Sequence, residues 1–196
     1  DALSVLAGAF DRDAAAAVAG ESLLAAASIE ELLAGLVDKS MVLVERSGSR
    51  ARYRVLEPLR QYGADRLSER GKTSEVQRRH LVHFAGVAAE AGRLVRGDVG
   101  FEAGVELFEE DWDNLRVAMD ASVRRADPRA AAAIVNSALP FAIWRQRHEL
   151  GVWADQATAM EHASPSIFGV AAKFAAISGD YQRAMVLAEA GISRAV

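Results

Sequence analysis

The chain has 196 residues, 40 of them alanine, 4 proline and none cysteine, which suits one or two helix-rich domains with a core of their own and excludes an all-β or disordered chain. The missing thiols also exclude a disulfide framework, a thiolate zinc site, an iron–sulfur cluster and a cysteine nucleophile. The net charge of −4 is uneven: residues 1–40 carry 7 acidic and 2 basic groups, residues 41–80 carry 5 and 10, and residues 81–196 carry 15 and 11.

The opening DALSVLAGAF has no basic n-region and reads as a helix entered partway along, as in a piece of a longer cytoplasmic protein. No apolar run reaches the ~20 residues of a membrane span, so no membrane partner is expected. Asp11 caps a short helix that turns Ala14, Ala15 and Val18 inward. Ser28 and Glu31 have the spacing of a capping box. Ile29, Leu32, Leu33 and Leu36 follow helical spacing behind it. The period then changes. Met41 to Val44 is a continuous apolar run, Ser47-Gly48-Ser49 is turn chemistry, and Arg52-Tyr53-Arg54-Val55 alternates as a strand with one wet face should. These make one β-hairpin over 41–56. Pro58 suits the first turn of the next helix, with Leu59, Tyr62, Gly63 and Leu67 inward, and Gly71 stops it.

From Lys72 on, the pattern predicts only helices. Val76, His80, Phe84, Val87, Ala91 and Leu94 form one stripe, broken at Gly97–Gly100. Val105 and Phe108 belong to a short helix. Trp112, Leu115, Met119 and Val123 start another, which ends near Asp127-Pro128. Ala131, Ile134, Val135, Ala138 and Ala142 continue the pattern in a helix that Pro140 kinks, because it cannot donate to the carbonyl four residues back. Leu150, Trp153, Ala157 and Met160 form a further helix. Ile167, Val170, Phe174 and Ile177 then pair with Tyr181, Ala184, Ala188 and Ala195 across Ser178-Gly179-Asp180. Two helices of this length joined by Gly-Asp-Tyr are similar to a tetratricopeptide unit, with Ala172 and Gly191 departing from the usual residues. The terminal Val196, just past an apolar stripe, suggests a stack that continues.

The predicted fold is therefore mainly α: a winged helix with one small hairpin (residues 1–71), then a tetratricopeptide-like helical array (residues 72–196). A winged helix reads DNA with a helix that carries basic and amide side chains. Here the candidate helix over 28–38 exposes Glu30, Glu31 and Asp38, with Lys39 alone opposing them.

Three stretches, LSVLAGAFDRDAAAAV (3–18), LLAGLVDKSMVLVE (32–45) and YRVLEPLRQYGADRLSERG (53–71), with EEDWDNLRVAMDAS (109–122) after them, resemble the region behind the nucleotide-binding module of bacterial STAND-type ATPases. These are transcriptional regulators of LuxR type, antibiotic-regulatory type and their adenylate-cyclase-fused relatives. The resemblance implies a winged helix packed on that chain's own nucleotide-binding domain, then a tetratricopeptide-like arm for signal transduction. A protein or small-molecule inducer would bind the arm. ATP or ADP would belong to the parent, because this chain has no G-x-x-x-x-G-K-[ST] loop. Related switch ATPases place a Met-His-Asp phrase after the hairpin, whose histidine reaches the nucleotide. Val55-Leu56-Glu57 stands there, and leucine cannot donate to phosphate.

Candidate phosphate or acidic-partner contacts are therefore Arg46, Arg50, Arg52, Arg54 and Arg60, weighed against a solvated or carboxylate-paired arginine face. No catalytic, cofactor or metal residue is assigned. His80 and His83 lie three apart without a third ligand. Glu109, Glu110, Asp111 and Asp113 suit a helix N-terminus. Trp112, Trp144 and Trp153 fit helical stripes. The competing reading is a DNA-binding winged helix with a helical dimerisation arm, whose salt-sensitive binding charge reversal at Arg52 and Arg54 removes.

Overall fold

A computed structural model describes residues 1–20, 28–47, 50–97 and 99–195, without the side chains of residues 46, 47 and 50. The described residues are mainly α with one two-stranded antiparallel sheet, as the sequence predicts. The predicted turn residues Gly48 and Ser49 lie outside them. The chain divides into two compact units, residues 1–84 with 110–117, and residues 85–109 with 118–196.

In the first unit, DALSVL forms only a single 3-10 turn, Ala2–Val5, and no α-helix. Helix α1 (Arg12–Ala19) starts where the Ala14 amide donates to Asp11 at 2.8 Å. Helix α2 (Ile29–Asp38) begins at a complete capping box. The Glu31 amide donates to Ser28 Oγ, and the Ser28 amide to the Glu31 carboxylate. Strands β1 (Val42–Ser47) and β2 (Arg50–Val55) pair in a register that sets Val42 against Val55 and Glu45 against Arg52. On its other side β2 holds Phe10 in an isolated bridge, each of Phe10 and Tyr53 donating its amide to the other's carbonyl. Helix α3 (Glu57–Glu69) packs on the 3-10 turn, and Gly71 closes it with φ of 64°. Phe10, Leu33, Val42, Val76, Phe84 and Leu115 are among the core residues.

Helices α4 (Thr73–Arg96) and α5 (Phe101–Arg124) contribute residues to both units. The expected break between 108 and 112 does not occur. The acidic run 109–113 is continued by good helix formers, so it lies inside α5 and caps nothing.

The second unit adds α6 (Pro128–Trp144), α7 (Glu149–Thr158), α8 (Pro165–Ile177) and α9 (Tyr181–Arg194). Asp127 and Asp180 cap α6 and α9 through their side chains. Pro140 sits inside α6 and cannot donate to the Asn136 carbonyl, which accepts instead from Arg96 Nη1 at 3.5 Å. Phe108 stacks on Phe141 with ring centroids 4.9 Å apart. Small residues let backbones close up. A Cβ on Gly92 would lie 2.7 Å from the Ser137 carbonyl oxygen, and one on Gly104 2.7 Å from that of Ala91.

The α8–α9 pairing differs from the one the spacing predicts. Tyr181, Ala188 and Ala195 are exposed, and so is Ile177. Gly191 instead meets Phe168, and the Arg194 guanidinium covers the Phe168 ring at 4.4 Å. Gly191 is thus the buried residue of α9, while its aromatic lead residue Tyr181 faces solvent.

Candidate functional site

The site the sequence singles out is the arginine-bearing hairpin of the first unit. Strand alternation puts Arg52 and Arg54 on one face of β2. The structure sends them to different environments. Arg52 is 3% exposed, which corrects the expected wet face. Its Nη2 donates to Asp111 Oδ1 at 2.7 Å, to the Ala9 carbonyl at 2.8 Å and to the Glu110 carbonyl at 3.0 Å. Its Nη1 lies 3.5 Å from the Glu110 carboxylate. The helical period explains why this partner is inside. Phe108, Asp111, Trp112 and Leu115 fall at i, i+3, i+4 and i+7, so Asp111 occupies a core-facing position of α5.

Asn114, fully buried one turn further on, completes the fastening. Its Oδ1 accepts from the amides of Ala7 at 2.9 Å and Gly8 at 3.5 Å, and its Nδ2 donates to the Ala9 carbonyl at 3.0 Å. Segment 7–9 has no ladder of its own, so these contacts satisfy backbone groups that burial would otherwise orphan. His80, 1% exposed, lies against Phe84 with centroids 4.5 Å apart. Burial pushes its imidazole down to about 4, against a smaller opposing pull from Asn114. Burial likewise holds the Asp111 carboxyl above its ordinary value, with Arg52 opposing. His83 meets the edge of Phe84 at 4.9 Å.

The other candidates fall out as follows. Arg54 grips Glu45 at 2.6 Å, and that hydrogen bond holds the Glu45 carboxyl below its usual value. Arg60 makes two 2.7 Å hydrogen bonds to Glu57. Arg46 and Arg50 carry side chains outside the described residues. Three of the five arginines are thus engaged by carboxylates of this chain, and Arg52 in particular has no face left for phosphate. On α2, Glu30 pairs with Arg12 at 2.8 Å and Glu31 serves the cap, while Asp38 and Lys39 are exposed. Beside the hairpin, Leu3, Leu36, Val42, Val55, Leu59 and Tyr62 line an apolar recess of about 170 Å³. Trp112 and Trp153 are buried, and Trp144 is 54% exposed.

Residue-level reasoning missed Asn114 and the Asp111–Arg52 pair. The signal was present as a carboxylate and an amide inside an otherwise apolar stripe. Among the described residues no three His, Cys, Asp or Glu side chains are placed to hold a metal, and no helix is long and apolar enough to cross a membrane.

Compared with known proteins, the chain is 33% identical over 148 residues to a Mycobacterium tuberculosis protein described as "Putative HTH-type transcriptional regulator". The match covers 76% of this chain and 16% of that protein. A Mycobacterium bovis protein of the same description gives the same figures. A second M. tuberculosis protein, described as uncharacterized, is 42% identical over 83 residues, covering 42% of this chain and 21% of its own length. No family model and no solved structure matches. The chain spans about a sixth of the length of the regulators it resembles.

Proposed function

We propose that this chain is a regulatory, protein-interaction part of a larger transcriptional regulator of the STAND ATPase type. Its first unit serves as a winged-helix coupler to the parent's own nucleotide-binding domain. Its second serves as a tetratricopeptide-like arm for a protein or small-molecule inducer. ATP or ADP would bind elsewhere in the parent, which works in the cytoplasm. This part carries no catalytic group, cofactor or metal, and contact with DNA falls to another domain.

The observation that carries this reading is the chemistry of the would-be DNA-reading surface. On helix α2 Glu30 pairs with Arg12, Glu31 serves the cap and Asp38 is exposed, so the helix lacks a row of cations for phosphate, and Arg52, Arg54 and Arg60 are already paired with carboxylates. Arg52 and Asn114 spend their hydrogen bonds on fastening the unit together, which suits a part that transmits movement as one piece. The regulators matched by sequence extend far beyond this region, so their DNA-reading element has room elsewhere.

The test is fluorescence anisotropy with random-sequence duplex DNA at low and near-physiological salt. Flat curves and no ATP turnover are expected. Binding that falls steeply with salt would overturn the reading in favour of a phosphate-tracking wing. The net basic charge of residues 41–80 and the HTH-type description of the relatives favour that second reading. Its diagnostic variants are Arg46→Glu and Arg50→Glu beside the turn. Reversing Arg52 would break a buried ion pair and confuse unfolding with lost binding.

A further inference from the structure

We propose that the surface of the second unit at Phe101 and Trp144 docks a basic segment of a protein partner. An apolar side chain of that segment seats on the aromatic pair, and its lysine or arginine side chains meet Glu102 and Glu106. This deepens the reading of the helical arm as a partner-binding element and rests on it.

Phe101, 41% exposed, opens α5, and Trp144 closes α6. Their rings meet edge to face with centroids 5.4 Å apart. The Arg145 guanidinium lies over the indole at 4.3 Å. A single exposed apolar residue is ordinary. A surface tryptophan touched by a phenylalanine and an arginine has the composition of a binding hot spot.

The charge around the pair selects the partner. Glu102, Glu106 and Glu109 follow one another at i, i+4 and i+7, so they form a row along one face of α5. The row begins beside Phe101 and ends where Glu109 pairs with Arg145 at 2.6 Å. Glu102 and Glu106 are exposed and make no ion pair among the described residues. Arg145 thus answers Glu109, and Glu102 and Glu106 are the exposed carboxylates further along the row. The carbonyl end of α6 at Trp144 adds further negative potential. An acidic segment would be repelled here, whereas a cationic one gains both the carboxylates and the aromatic faces. The Arg145–Trp144 stack shows within the molecule that this indole accepts a guanidinium.

The experiment uses the whole 196-residue chain labelled with 5-fluorotryptophan, its Trp144 resonance assigned with Trp144→Phe. The probes are a synthetic amphipathic peptide of leucine and lysine and its leucine and glutamate counterpart. The lysine peptide is expected to move the Trp144 resonance, to leave Trp112 and Trp153 in place, and to bind about tenfold tighter than the glutamate peptide. The double variant Glu102→Lys/Glu106→Lys, and separately Trp144→Ala, should each weaken binding by about tenfold with thermal unfolding unchanged. Four results would overturn the proposal: an unmoved Trp144, equal binding of the acidic peptide, undiminished binding by either variant, or a Trp144 shift that follows protein concentration without peptide. None of them depends on DNA. A negative result here leaves the coupler reading to its own titration, and DNA binding would remove that reading without moving Trp144.

Discussion

The two units reach order by different physics. The first buries an arginine, an aspartate, an asparagine and a histidine, all at 4% exposure or less. It ties Arg52 to Asp111 and both Arg52 and Asn114 to segment 7–9, while Arg52 Nε and His80 Nε2 have no hydrogen-bond partner among the described residues. In the second, the buried polar residues among those described are the serines Ser122 and Ser137. The rest of its core is alanine, aliphatic and aromatic packing with glycines at the closest crossings. Hydrogen bonds and ion pairs are directional, so the first unit has one arrangement and tolerates little loss of a partner. Dispersion and hydrophobic burial are not directional, so the second unit responds to volume. The contrast teaches that the helical unit is set by the shapes that fill it, whereas the hairpin unit is keyed by a few polar atoms.

The sharpest way to break this contrast is Arg52→Ala. Asp111 would be left buried without its cation, so the first unit should lose about 3–5 kcal/mol. Urea unfolding read by fluorescence can separate the units in two single-tryptophan backgrounds, Trp144→Phe/Trp153→Phe and Trp112→Phe/Trp144→Phe, because Trp112 belongs to the first unit and Trp153 to the second. The Trp112 transition should fall and the Trp153 transition should move much less. Replacing both partners, as Arg52→Met with Asp111→Leu, should restore most of the loss. Equal shifts in the two transitions would end the distinction.

Acid should act on the same unit. His80 is held down to about 4 in the folded protein, against 6.5 for an ordinary histidine, because burial penalises its charge. The unfolded chain therefore takes up a proton first as pH falls. Stability is full above about 6.5, declines as pH drops towards 4, and levels off below that, for a loss of about 3 kcal/mol. Asp111, whose carboxyl is raised, opposes this trend at the acid end. A series of unfolding curves between pH 7 and 4 for the natural chain and for His80→Leu checks it. The variant should lose most of the slope.

The second unit should answer to volume. Gly92→Val places a side chain where the Ser137 backbone already stands, and should cost about 2–3 kcal/mol in the Trp153 transition, independent of pH. A cost that varied with pH would blur the two classes. The smallest effect belongs to the local device at α2. Ser28→Ala removes one half of the capping box and should cost about 1 kcal/mol, visible as faster amide exchange at Glu31.

What could be read in advance was local. Asp11 and Ser28 with Glu31 announce helix starts through a hydrogen bond to an amide three residues on, and each does so here; Asp127 and Asp180, read only as a helix end and a turn, prove to cap in the same way. The hairpin was legible because apolar alternation flanked a short Ser-Gly-Ser turn. The fate of Arg52 was not legible, because its partner lies 59 positions away and nothing in a strand's own alternation says that its wet face will be covered. The acidic run 109–113 misled for a related reason. Four carboxylates together resemble a helix start, and only the core-facing position of Asp111 reveals that one of them has a buried cation to meet. Among the candidate arginines, sequence set Arg60 three residues from Glu57 on its own helix, while Arg54 meets Glu45 only across the hairpin, on the neighbouring strand. It did not show that those contacts would claim them.

The bridge between Phe10 and Tyr53 has a consequence for self-association. A two-stranded ribbon has two free edges, each able to recruit a strand from another molecule. Here the outer edge of β2 is covered at Tyr53 by the Phe10 bridge, while β1 has Leu43 and Val44 exposed. Clipping the chain after Phe10 would do more than shorten it. Tyr53 and its neighbours would be offered as a second template, and the hairpin could then grow in both directions into a fibrillar stack. Phe10 thus keeps Tyr53 from being offered to a strand of another molecule.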